Sequence, residues 1–196
     1  MKKALLLALL ALLFAAPEAQ AGQARYYVPP SQFNAAFQIM DLGLSNIFGL
    51  FQNATGAFAF DPGSKTISHI KLAIDATSLM VPNASASKDL TKLLDPDAYP
   101  ELTFLATAAT PFQDGKAQIK GTLTIHGQSK PATFEGTLNS GKEAADSGES
   151  KGSETIGLSL RGTFKRADFA MGDEPEIPGR FGENMTLMLE MQAIKP

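Results

Sequence analysis

Apolar side chains recur at every second position along most of this chain. That period leaves few outcomes besides antiparallel strands that bury one face each. Phe33, Ala35, Phe37 and Ile39 share a face over residues 33–40. Gly56, Phe58 and Phe60 do the same ahead of an Asp61-Pro62-Gly63 turn, and Ile70, Leu72, Ile74 and Ala76 alternate with polar Lys71 and Asp75. The rhythm returns over residues 102–108, over 117–126 after an Asp114-Gly115 turn, and over 132–138, 155–165 and 185–193. With a short start at residues 26–28, it predicts about eight long strands and a short one.

Two stretches have helical spacing. Ile47, Leu50 and Phe51 fall three and four apart within residues 42–51, interrupted by Gly43 and Gly49; Leu90, Leu93 and Leu94 cluster in residues 87–94, with Ser87 as the expected N-cap. Residues 140–153, rich in Gly, Ser, Glu and Lys, read as a hairpin loop. Many antiparallel strands with one apolar face each close into a sandwich or a barrel, and a barrel also removes exposed edges. The expected fold is therefore all-β: an eight-stranded antiparallel, lipocalin-like barrel with an apolar lumen and one or two short helices in the connections. Small residues such as Ala35, Gly56, Ala76, Gly121, Gly136 and Gly162 punctuate the apolar faces. They mean either tapered packing or room for an apolar guest. Alternation does not say which face points inward. The inverted arrangement of an outer-membrane barrel calls for aromatic girdles, and this chain has no Trp and only 3 Tyr.

Composition narrows the chemistry. The 196 residues include no Cys and 2 His, His69 and His126, which removes disulfides, thiolate metal sites and a cysteine nucleophile. A net charge of −3 gives no footprint for nucleic acid. Asp173-Glu174-Pro175-Glu176 is acidic but lacks the ligand spacing of a calcium loop, so no metal or cofactor is expected. No motif sets a nucleophile, a base and an orienting group together. His126, beside Gly127, reads as turn chemistry, and His69 as a solvent-facing residue at a strand start. Residues 1–21 read as a cleaved export signal: Lys2 and Lys3, then an apolar run over residues 4–16, then Ala19-Gln20-Ala21. At about 1.5 Å per residue that run is too short for a bilayer core of about 30 Å. Residues 22–196 are then one exported domain, periplasmic or secreted, that is not an integral membrane protein.

Several blocks, in order, resemble the YceI-like family of exported, lipocalin-like proteins that bind polyisoprenoid lipids. They are Tyr27 to Pro30; Asp41-Leu42-Gly43-Leu44-Ser45; Gly56 to Pro62; Ile74 to Leu79; Asp-Pro-Asp-Ala-Tyr-Pro-Glu-Leu-Thr-Phe from Asp95; Gly-Thr-Leu-Thr-Ile-His-Gly-Gln-Ser-Lys-Pro from Gly121; and Arg166-Ala167-Asp168-Phe169-Ala170-Met171. Three departures stand out. Asp41 replaces a frequent His, Ala170 replaces a customary Gly, and the family's basic, His-containing run is not recognisable between Ser85 and Leu94.

The resemblance implies a lumen holding a long apolar chain, with a mouth near the helical connections. A buried CH₂ contributes about 0.8 kcal/mol and micromolar affinity needs about 8 kcal/mol, so a tail of about fifteen to thirty carbons needs no strong polar contact. The candidate lipid-binding residues are those on the apolar faces: Phe37, Ile39, Phe58, Phe60, Leu72, Ile74, Phe104, Ile125, Phe134, Leu158 and Phe164. The expected function is non-catalytic binding, sequestration or transport of a polyisoprenoid, isoprenoid quinone or similar amphiphile; a homodimer is left open. The alternatives are a small-molecule hydrolase or isomerase in the same pocket, and a packed barrel that binds partners through its surface.

Overall fold

A computed structural model describes residues 22–140, 154–172 and 179–196. The segment expected to be an export signal, the loop expected over residues 140–153 and the acidic run from Asp173 lie outside the described residues, Ser140 alone being included as the end of a strand. The strands are β1 (Ala24–Val28), β2 (Phe33–Asp41), β3 (Ser45–Phe51), β4 (Ala54–Asp61), β5 (Thr66–Asp75), β6 (Leu79–Met80), β7 (Glu101–Ala108), β8 (Lys116–Ile125), β9 (Gln128–Ser140), β10 (Thr155–Lys165) and β11 (Phe181–Ile194), with one helix, α1 (Ala84–Leu94).

All pairings are antiparallel. The order β1-β4-β5-β7-β8-β9-β10-β11 closes on itself where Tyr27 of β1 meets Ile194 of β11, giving the eight-stranded ring. The remaining strands continue from members of that ring. β2 follows β1 around a corner at Pro29-Pro30, β3 runs into β4 through Gln52-Asn53, and β5 leads to β6 through a 3-10 turn at Ala76–Ser78. Neighbouring corners bond to one another: the Gln52 N–H donates to Ser78 O at 3.2 Å, and the Asp75 N–H to Asn53 O at 2.9 Å. The wall is thus creased, with β2, β3 and β6 fanning out beside β11.

The period-two faces point inward. From β2 come Phe33, Phe37 and Ile39, from β8 Ile119, Leu123 and Ile125, and from β11 Met185, Leu187 and Leu189, all joining one buried cluster. Lys116, Gln118 and Lys120 of β8 face out. The small residues turn out to receive neighbouring large ones. A Cβ on Gly162 would lie 2.8 Å from Phe134 Cδ1, one on Gly136 2.8 Å from Ile119 Cδ1, and one on Gly49 would overlap the Phe37 ring.

The helix expected over residues 42–51 is instead the β2–β3 hairpin. Leu42 and Gly43 take left-handed φ of 51° and 69°, and Asp41 pairs with Ser45. Ile47, Gly49 and Phe51 fit period two as well as Ile47, Leu50 and Phe51 fit a helix, and the two glycines decide for the strand. The helix near residue 87 forms but starts earlier. Asn83 caps it, accepting the Ala86 N–H at 3.0 Å, so Ser87 lies in its first turns. His126 and Gly127 form the expected two-residue β8–β9 turn, with φ of 50° and 69°. His69 is exposed at a bulge inside β5.

The closure seam is held by polar groups too. Tyr26 donates its hydroxyl to Glu154 at 2.8 Å and Lys195 Nζ reaches the other Glu154 oxygen at 3.1 Å. Burial first, and the Glu154 hydrogen bond second, push the Tyr26 hydroxyl up to about 12, from about 10 in an unfolded chain. Its contribution is full below pH about 10 and disappears as pH rises through about 12. Tyr26→Phe should lower stability at pH 7 by about 1 kcal/mol, with the gap to the parent shrinking across that alkaline window in urea titrations. Gly121→Ala drives a Cβ into the Leu105 carbonyl and the Phe104 ring. It should cost about 1–3 kcal/mol, whereas Gly172→Ala, with nothing within 4 Å, should change the urea midpoint little.

Candidate functional site

The barrel wall is not paired throughout. β9 and β10 share a ladder from Ser140–Ile156 to Glu135–Arg161 and then separate. Beyond that point β9 keeps β8 down to Gln128, and β10 keeps β11 as far as Lys165–Asn184. The parting leaves a cavity of about 420 Å³ lined by Phe134, Gly162, Phe164 and Phe169, among others, within the range of small-molecule pockets. Lys130, Lys165, Asp168 and Asn184 form a polar rim. Its floor is aromatic: Phe164 and Phe169 meet edge-on at 5.1 Å, and Phe134 lies 4.6 Å from Phe104, one layer deeper.

A 3-10 turn at Arg166–Phe169 lies beside the gap, between β10 and β11. Arg166, buried, anchors it through carbonyl acceptors: Nη1 donates to Met171 O at 2.8 Å, Nε to Gly182 O at 3.0 Å and Nη2 to Phe181 O at 3.2 Å. These bonds give the block its structural role: the Arg side chain ties the turn to β11, while Phe169 and Met171 enter the core. Ala170 ends the turn with φ 56°, ψ 20°, the left-handed geometry in which glycine is at ease.

The same end of the barrel carries the β2–β3 hairpin and α1. Arg180 joins them: Nε donates to Asp41 at 2.9 Å, and Nη1 pairs with Asp89 of α1. The Asp41 bond, foremost, holds the guanidinium above its ordinary value. Asp41, which departs from the resembling pattern, is therefore an anchor for the helix. The Tyr-Pro and His-Gly blocks also meet here. Tyr99 lies 4.1 Å from the His126 ring, and a Cβ on Gly127 would come within 2.7 Å of Tyr99. His126 Nδ1 is buried without a hydrogen-bond partner.

Phe37, Ile39, Phe58, Phe60, Leu72, Ile74, Phe104, Ile125, Phe134 and Leu158 all belong to the buried cluster, with Phe164 packed against it. Phe134 and Phe164 line the gap; the others lie elsewhere in the interior. Phe37, Ile125 and Phe134 are 0% exposed, so the barrel's own side chains fill the space around them. The candidates did not include Phe169. Its block was visible in the sequence, but its contribution to the gap depends on where β9 leaves β10. A second, wider groove of about 680 Å³ lies among Gln118, Glu135, Arg161 and Glu190, where charged side chains alternate with apolar Pro111, Leu160 and Met188.

The structure is thus, in class, a closed eight-stranded antiparallel barrel with an apolar interior, a creased wall and a helix packed at one end. The chain belongs to the YceI-like family, whose domain model matches residues 26–193. A UPF0312 protein of Pseudomonas putida strain W619 is 30% identical over 164 residues, covering 81% of this chain and 79% of that protein. Among solved structures, BcnA of Burkholderia cenocepacia superposes with a TM-score of 0.71 at 17% identity, over 84% of this chain and 98% of that one. A polyisoprenoid-binding domain from Saccharophagus degradans gives 0.60 at 10% identity, over 88% and 99% respectively. At these identities the two structures speak for the fold.

Left-handed alanine is disfavoured by about 1–2 kcal/mol, partly offset by the unfolded-state entropy a glycine adds. Ala170→Gly should therefore raise stability by about 0.5–1 kcal/mol in chemical denaturation.

Proposed function

We propose that this chain binds and carries a long apolar chain, such as a polyisoprenoid or isoprenoid quinone, without chemically transforming it. The observation that carries the reading is the parting of β9 from β10, where the aromatic floor of Phe134, Phe164 and Phe169 meets a rim of Lys130, Lys165, Asp168 and Asn184. An amphiphile placed there puts its tail against the apolar cluster and its polar head at the rim. Family membership supports the reading, as does the likeness to a polyisoprenoid-binding domain. The Lys2–Ala21 pattern supports action outside the cytoplasm, in the periplasm of a host with two membranes.

The energetics are compatible with a barrel already filled by its own side chains. A tail of about fifteen carbons gains about 12 kcal/mol gross. Micromolar affinity uses about 8 kcal/mol, which leaves about 4 kcal/mol for ordering the tail and spreading the core. The near-zero exposure of Phe37, Ile125 and Phe134 favours a second reading, a permanently packed barrel that works through its surface.

Native mass spectrometry of the protein purified from its own cells, followed by solvent extraction, separates the two. The carrier reading expects a stoichiometric long-chain lipid, or its uptake on adding a polyprenol. An unchanged apo mass in both experiments overturns it in favour of the packed barrel. Phe164→Glu, at a half-buried position of the gap, should weaken uptake by about tenfold or more while the fold persists.

A further inference from the structure

Among the described residues, the most exposed large apolar side chains sit together at one turn. Leu42 is 62% exposed and Leu44 84%, flanking Gly43 at the tip of the β2–β3 hairpin. A Cβ added to Gly43 would find nothing within 4 Å, so the tip stands clear of the barrel. Behind it on the outer face follow Met40, Phe48 and Leu50, with Met80 paired beside Leu50. From Leu42 to Phe60 the sequence carries no charged side chain. The charges at the base of the hairpin are occupied with one another, Arg180 holding Asp41 and Asp89.

We infer that this hairpin tip docks the protein onto a lipid bilayer, inserting Leu42 and Leu44 at the boundary between headgroups and acyl chains. The inference goes beyond the carrier reading and does not need a ligand in the barrel. Three features choose a bilayer over another protein. Apolar side chains inserted at an interface bind in proportion to buried area, and the uncharged stretch adds no charge-desolvation penalty. A three-residue turn that carries two leucines at its tip offers a point, whereas a stable dimer buries about 800 Å² on each partner. The tip also lies at the gap end of the barrel: Asp41 pairs with Phe181 at the start of β11, and Lys165 at the end of β10 pairs with Asn184. Docking there turns the parting of β9 and β10 toward the membrane.

The absence of Trp makes a clean test. Leu44→Trp places a single fluorophore at an open position and leaves the core untouched. Leu105→Trp, at an outward position of β7 that is 48% exposed, serves as the control. With vesicles of phosphatidylethanolamine and phosphatidylglycerol (3:1), the Leu44→Trp emission should shift to the blue and be quenched by brominated acyl chains, while Leu105→Trp should show neither. Adding Leu42→Asn, which suits the left-handed backbone there, should weaken the partition coefficient by about tenfold.

No shift at millimolar lipid overturns the proposal, and so does an equal shift at both positions. A shift that tracks protein concentration without vesicles also overturns it, and assigns the tip and the neighbouring free edge of β3 to a second copy. Delivery of a polyprenol from cyclodextrin, with no membrane present, keeps the two readings apart. Uptake without vesicle binding sinks the docking surface alone, and vesicle binding without uptake sinks the carrier alone.

Discussion

A barrel of this width has to reconcile large side chains with a short distance across, and at several places it does so by setting a glycine where a large neighbour must lie. Phe37 occupies the space at Gly49, Phe134 that at Gly162, and Leu72 that at Gly56. Each glycine lets a neighbouring side chain lie flat against bare backbone, so adjacent layers interlock at the density of a protein interior. The cluster, the eight-membered ring and the helix that caps it all depend on this complementarity. A methyl group at one of these positions pushes on a ring that has nowhere to go, because the next ring is already in contact, as Phe104 is with Phe134.

The crease sets the other dimension of the design. Pro29-Pro30, Gln52-Asn53 and Ala76–Ser78 turn adjacent chains at the same level, so one end of the wall stays in the ring while the other spreads. The spread end is where functional features gather: α1, the Arg180 clamp, the anchored turn at Arg166 and the parting of β9 from β10. The opposite end carries the closure between β1 and β11. The two ends therefore divide the work, one keeping the barrel shut and the other presenting an opening.

Much of the architecture was legible in the alternation of side chains, because a period of two depends only on local geometry and the need to bury one face. The strands from Phe33, Ala117 and Met185 follow from that rule; the interior position of Phe37, Ile125 and Leu158 needed, besides it, the shortage of Trp and Tyr that argued against a lipid-facing apolar wall. The stretch from Leu42 misled because ten residues fit both periods, and the deciding signal was the backbone freedom of Gly43 and Gly49. The gap was not legible at all. Phe134 and Phe164 have the same pattern as Phe58 or Phe104, and what distinguishes them is the residue at which two ladders part, a property of strand pairs that no single strand encodes. The meaning of the small residues lay out of reach for the same reason: Gly162 is a seat for Phe134 only because β9 lies beside β10.

The seam between Tyr27 and Ile194 joins strands from opposite ends of the chain. The ring cannot close before Ile194 is made, because β11 follows the other strands of the ring in sequence. Until then one edge of β1 stays bare, and the long stretch of chain between β1 and β11 delays their meeting. Closure of the barrel therefore waits on β11, across the longest sequence separation in the ring.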